Sequence, residues 1–98
     1  MIIMLTELSV LPRFRLGNVV ATPHVISEVT REEILQALNR HSKGDWGEVG
    51  GEDRKANNDA LQNEERLLSV YTSSFGTKFW VITEADRSST TVLLPEDY

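Results

Sequence analysis

The chain has 98 residues, 40% of them hydrophobic and 26% charged, with a formal net charge of −5; this supports one core and one domain over residues 1–98 and excludes the composition of a disordered segment. The acidic balance speaks against broad, sequence-independent nucleic-acid binding, which needs clustered Lys and Arg to neutralise phosphates. Cysteine is absent, so disulfides and Cys-based zinc sites are excluded, packing alone must hold the fold, and a reducing, cytoplasmic setting fits best.

Met1-Ile2-Ile3-Met4-Leu5 is apolar but broken at Thr6-Glu7, with no basic residue ahead of it and far fewer than the ~20 residues of a membrane span. Neither a signal peptide nor an anchor is read there. Met4 serves as a start as well as Met1, and residues 1–12 read as an arm, flexible or exchanged between the copies of a dimer. Over Leu8 to Ala21, apolar residues at Phe14, Leu16 and Val19-Val20 are interrupted by Gly17-Asn18, the pattern of a strand or hairpin with a turn or bulge at the glycine. Thr22-Pro23 then has the form of a helix start, a hydroxyl cap followed by a proline, and predicts a short helical turn over His24 to Glu28.

Thr30-Arg31-Glu32-Glu33 is a capping box, in which the Thr30 hydroxyl accepts from the Glu33 amide and the Glu33 carboxylate reaches back to the Thr30 amide. Val29 and Ile34 add a hydrophobic staple, and Ile34, Leu35 and Leu38 give an apolar stripe, so a helix is predicted from Arg31 to about His41. Lys43-Gly44 ends it. The glycine-punctuated loop Gly44 to Gly51 carries Trp46 at its centre. A second helix is predicted from Asp53 or a neighbour to about Glu65, with Ala56, Ala60 and Leu61 as its buried stripe.

Three runs rich in Val, Ile, Thr and aromatics follow: Leu67 to Ser73, Lys78 to Glu84 and Ser89 to Leu94. Short connections between them suit hairpins. Lys78 to Thr83 is apolar on both faces and reads as the central strand, with helices over one face and the N-terminal segment or a second subunit over the other. Pro95 ends the last strand, having no amide for the ladder. The fold class expected is α+β: two main helices packed on a three- to four-stranded antiparallel sheet with a C-terminal β-meander.

Four groups of residues could carry function. Asp45 and Trp46 lie in a glycine-rich loop that could present the indole to a ligand or partner; the structural alternative is an indole folded back into the core, with the glycines there only to allow the turn. The loop lacks both the Gly-Lys-Ser/Thr ending of a phosphate cradle and the spaced acids of a calcium loop. His24 and His41 are the only imidazoles and nothing in the spacing gathers further ligands round them, so no metal or cofactor is implied; at the last turn His41 is favoured by the helix dipole alone. Thr83 to Thr91 sets Glu84, Asp86, Arg87 and several hydroxyls, Thr91 among them, around one hairpin turn. Glu84, Arg87 and His41 together supply the base, the acid and the cation needed to cleave RNA through its own 2′-hydroxyl. The same residues are also ordinary turn formers and ion-pair partners.

From Gly44-Asp45-Trp46-Gly47 through Asn57, Leu61, Leu67 to Tyr71, Gly76-Thr77-Lys78 and Trp80 to Ser88, and in the ending Thr90 to Tyr98, the chain resembles the short uncharacterised proteins carried by bacterial plasmids, phages and integrated elements. Leu16 to Pro23 extends the likeness over most of the chain. The resemblance implies a bacterial mobile-element setting and brings no activity or catalytic residues with it.

Two functions are therefore carried forward. The first is a non-enzymatic accessory module that binds a host or element-encoded protein through the Trp46 loop and the Glu84 to Thr91 edge. The second is a small toxin-type ribonuclease using Glu84, Arg87 and His41. Strand edges and the apolar N-terminal arm also favour a homodimer.

Overall fold

The computed structural model describes residues 12–98; the expectations for an arm over residues 1–12, and for Met1 or Met4 as the start, lie outside the described residues except at Pro12. The elements run β1 (Asn18–Ala21), α1 (Pro23–Glu28), α2 (Arg31–Ser42), α3 (Gly51–Asn63), β2 (Leu67–Thr72), β3 (Lys78–Thr83), β4 (Ser89–Leu93) and a 3₁₀ turn over Pro95–Asp97. The protein is α+β, with helices packed on a four-stranded, mostly antiparallel sheet. Among the described residues no helix is long and apolar enough to cross a membrane.

Local chemistry sets the helix ends. The Thr22 hydroxyl accepts from the Val25 amide at 3.1 Å, and Thr30 does the same for Glu33 at 3.2 Å, each satisfying a first-turn donor that the helix cannot. The capping box differs from expectation in its second half. The Glu33 carboxylate accepts from the Thr30 hydroxyl at 3.3 Å and from the Ser74 amide in the β2–β3 turn at 2.7 Å, so the residue expected to close its own cap instead ties α2 to the sheet. α3 begins at Gly51, two residues ahead of Asp53, and stops at Asn63, where Glu64 takes a left-handed φ of 55°. Its buried face is Asn57 and Ala60, with Leu61 half-buried, whereas Ala56 is exposed.

The strand order is β1-β4-β3-β2. β2, β3 and β4 form the expected antiparallel meander, with Val81 opposite Ser69 on one side and Val92 on the other. β1 lies parallel to β4, Val19 beside Thr90. The chain leaves β1 into the three helices, returns at the far edge, and needs three antiparallel strands to come back beside β1 in the same direction. No local signal carries that pairing.

Alternation sorts the sheet into two faces. The inner face, carrying Tyr71, Phe79, Val81 and Val92, packs against Val25, Val29, Ala37 and Leu38 of the helices. Each large apolar side chain buried there contributes about 1.5–3 kcal/mol. A second cluster gathers Trp46, Val49, Ala60 and Leu67 where α3 and its preceding loop meet β2. Among the described residues no helix lies over the outer face, Leu68, Trp80, Ile82, Thr91 and Leu93; the turn after β4 crosses part of it, setting Tyr98 edge-on to Trp80 at 5.8 Å.

Candidate functional site

The sheet divides the residues singled out from the sequence. On the helix side lie His41, Trp46 and Arg87, grouped about Phe14: the Phe14 ring meets His41 edge-on at 5.2 Å and stacks on Trp46 at 6.2 Å, and the Arg87 guanidinium sits 5.6 Å from its centre. Phe14 and Arg87 are half-buried, and the two rings behind them are buried. Trp46 is 3% exposed, its indole N–H donating to Asn58 Oδ1 at 3.0 Å, so the glycines about it permit a turn that folds the ring inward. This corrects the reading of Trp46 as a stacking platform. Asp45 stays at the surface, but its carboxylate takes two bonds from Arg40, at 2.7 and 3.2 Å, and one from the Gly47 amide. The Arg40 contact holds the Asp45 carboxyl below the usual carboxylate range.

His41 is wholly buried, and both ring nitrogens are engaged. Nδ1 lies 2.6 Å from Ser69 Oγ and Nε2 2.9 Å from Thr83 Oγ1; Thr83 in turn lies 2.7 Å from Thr90 Oγ1, which donates to the Leu16 carbonyl at 2.7 Å. Each hydroxyl has one proton, so the sense of the whole chain follows from its end. Thr90 gives its proton to Leu16, Thr83 gives its own to Thr90, and Thr83 can therefore only accept from His41. That assigns the proton to Nε2 and leaves Nδ1 to accept from Ser69. Burial, with the charge of Arg87 nearby, pushes the imidazole down to about 4. His41 is thus a neutral, saturated strut between α2, β2, β3 and β4. The sequence contained a signal for this: His41 continues the stripe of Ile34 and Leu38 at the next helical step.

Arg87 is also committed. It has a left-handed φ of 61°, and its guanidinium donates to the carbonyls of Ala60 at 3.0 Å, Glu65 at 2.6 Å, and Glu84 and Ala85 at 3.2 Å each. These carbonyls belong to the last turn of α3, the segment just after it and the β3–β4 turn, and those of Ala60 and Glu84 also accept backbone amides from Glu65 and Arg87, so the guanidinium ties the three segments together. The clamp replaces the expected role as a phosphate anchor. Asp86 is exposed and accepts from the Ser88 amide at 2.9 Å in an Asx turn; the Ser88 hydroxyl first, and this amide second, lower its carboxyl below the usual range.

Glu84 and Thr91 face the other way. Counting out from Trp80 and Ile82 puts Glu84 at the end of the outer face, where Arg66 approaches it at 3.8 Å with both side chains nearly half exposed; Thr91 lies beside Ile82. His41, Arg87 and Glu84 therefore do not converge on an open cleft. The imidazole is inside, the guanidinium bonds backbone and the carboxylate is across the sheet, so no common phosphate can touch all three.

What the outer face does assemble is a half-exposed aromatic hollow that sequence reasoning missed. Arg66, Leu68, Trp80, Ile82 and Tyr98 line a depression of about 300 Å³. Arg66 donates to the Tyr98 hydroxyl at 2.6 Å and lies over that ring at 5.2 Å. The available signal was the alternation Trp80-Ile82-Glu84 on a strand with apolar residues on both faces. Asn57 was missed too: its amide donates to the Leu68 carbonyl at 2.7 Å and accepts from the Leu68 N–H at 3.1 Å, matching β2 as a peptide group would. Among the described residues no three His, Asp or Glu side chains gather as metal ligands.

No family model, curated protein or solved structure matches the chain.

Proposed function

We propose that the protein is a non-enzymatic accessory module that works by binding another protein, a host or element-encoded partner in the bacterial mobile-element setting its sequence resembles, and that it does so through the outer face of the sheet. The observation that carries this reading is the hollow around Trp80. Trp, Tyr and Arg are the residue types on which binding energy concentrates at interfaces, and here Trp80, Tyr98 and Arg66 meet over Leu68 on a face that no helix among the described residues covers. The partner that fits presents an apolar side chain to the hollow and a carboxylate to Arg66. The reading moves the binding surface away from the Trp46 loop, and it keeps Glu84 and Thr91 at the rim. The inward commitment of His41 and Arg87 supports a binding role over the ribonuclease alternative.

The test uses Tyr98→Ala and Trp80→Ala beside the wild type as immobilised bait in bacterial lysate, with captured proteins identified, remade and titrated. A partner whose affinity falls about 10-fold or more in both variants is expected. Unchanged affinity in both overturns the surface, and RNA cleavage by the wild type that disappears in folded Glu84→Gln overturns the function.

A further inference from the structure

Tyr98 forms one wall of the Trp80 hollow, yet it is 68% exposed, so packing alone does little to keep it there. Polar ties on two sides hold it. Arg66 donates to its hydroxyl, and the residue before it, Asp97, is fastened to the start of α1. The Asp97 carboxylate accepts from the Thr22 hydroxyl at 2.7 Å, from the Leu94 amide at 3.1 Å and from the His24 imidazole, whose Nδ1 lies 3.0 Å away. Thr22 caps α1 and donates its amide to Val92 of β4, so the anchor is fixed to the sheet and the 3₁₀ turn is the part that can shift. Within that turn Asp97 donates its amide to Leu94 and Tyr98 donates its own to Pro95, which makes Asp97 and Tyr98 move together.

A carboxylate only accepts, so Nδ1 carries a proton in both charge states of His24. The titrating proton therefore goes to Nε2, and the ring, 46% exposed, has water from which to take it. Its gain turns a neutral hydrogen bond into a charge-assisted one at the same two atoms. The charged groups that act on the ring are Asp97 and Glu96 of the turn and Glu28 of α1, all acidic, and the Asp97 contact holds the imidazole above its ordinary 6.5. The Thr22 hydroxyl keeps the Asp97 carboxyl below the usual carboxylate range, so the acceptor stays ionised. His41 is neutral down to about 4, which leaves His24 as the imidazole that changes charge near neutrality.

We infer that His24 and Asp97 form a pH-dependent latch that sets Tyr98 against Trp80, closing when His24 is protonated and loosening as it loses that proton. The closed arrangement holds the proton more tightly than the open one, so by linkage the proton favours closure. Its effect is complete below 6.5 and is lost as the pH rises through the raised value. The pair is exposed, so charging it shifts the balance about 2- to 5-fold and does not act as an all-or-none gate. For binding, the consequence rests on the function proposed above: a partner seated on the hollow is held more tightly at mildly acidic pH.

The test is nuclear magnetic resonance on the full chain between about pH 5.5 and 8.5, the window of an imidazole. It reads the His24 Cε1 proton, the Overhauser contact between the Tyr98 and Trp80 rings, and relaxation dispersion of the Tyr98 ring. The released population of Tyr98 is expected to rise about 2- to 5-fold, with the midpoint of His24 itself. In Asp97→Asn, which keeps the size of the side chain and removes its charge, the His24 midpoint is expected to fall towards 6.5 and the dependence to disappear. His24→Gln, with no proton to titrate, is expected to be flat as well. A ring contact and dispersion that stay constant across the His24 titration overturn the latch, as does a dependence that survives in either variant. No partner enters these readings: a captured partner beside an unmoved Tyr98 breaks the latch alone, and a titrating Tyr98 with no partner breaks only the binding function.

Discussion

At the β2 edge of the sheet, the outward amide and carbonyl of Leu68 bond the Asn57 side chain, and those of Val70 bond the Trp46 carbonyl and the Glu48 amide; at the β1 edge, the corresponding groups of Val19 and Ala21 face an apolar trough. A bare strand edge invites pairing with other chains, and proteins cover it with loops, helices or charge. Here one edge is closed by residues folded onto it from α3 and its preceding loop, and at the other no described residue pairs with the outward groups. The difference makes the two edges unequal in their response to the same kind of damage.

The largest effect is expected at the closed edge from Gly47→Ala. Gly47 has a φ of 74° and pairs with Val70, and a Cβ there would collide with the Val70 carbonyl oxygen and crowd the Tyr71 ring. A loss of about 3 kcal/mol in urea unfolding is expected; a near-neutral result would mean that the loop does not seal the edge.

A loss nearly as large comes from acid, through the strut that joins β2 to the rest of the sheet. His41 is neutral in the fold with its proton affinity pushed down to about 4, against 6.5 for an unconstrained imidazole. The unfolded chain therefore binds the extra proton first as pH falls. His41's share of the stability is full above pH 6.5 and drains away towards pH 4, by about 3 kcal/mol in all. Denaturant midpoints measured across that window should fall steeply in the wild type and more shallowly in His41→Gln; parallel curves would refute the assignment.

Asn57→Ala is expected to cost about 2 kcal/mol, because it orphans both backbone groups of Leu68. Asn57→Asp supplies only an acceptor and should not rescue the loss. If alanine proves silent, the match between Asn57 and β2 contributes nothing. The smallest effect belongs to the open edge. Val19→Pro removes an amide that faces outward and should change stability by less than about 1 kcal/mol, whereas Val20→Pro removes one that faces β4 and should cost about 3 kcal/mol. Equal costs would erase the contrast between the edges.

What could be read from the sequence was whatever its neighbours in the chain determine. The caps at Thr22 and Thr30, the stripe of Ile34 and Leu38 and the alternation in the last three strands are local, and each element appeared within a few residues of its expected place. The parallel register of Val19 with Thr90 depends on residues 71 positions apart in the chain, and composition carries no trace of it. The candidate site was harder for a related reason. Arg87 and His41 carry reactive groups, but whether such a group is available depends on what surrounds it, and two of the four carbonyls about Arg87, those of Ala60 and Glu65, and the hydroxyls about His41 come from distant segments. Trp46 shows the same ambiguity: glycines that let a loop expose an indole equally let it turn the indole inward.

The proton-ordered row from Ser69 through His41, Thr83 and Thr90 to Leu16 has one more consequence. Apolar faces accept a two-residue slip between strands at modest cost, since another aliphatic side chain arrives where the first one left. A row of single-proton donors does not, because any slip strands a buried imidazole and breaks the sequence of donations at every later step. The polar row thus acts as a proofreading key, rejecting misaligned hairpins that greasy packing alone would let pass.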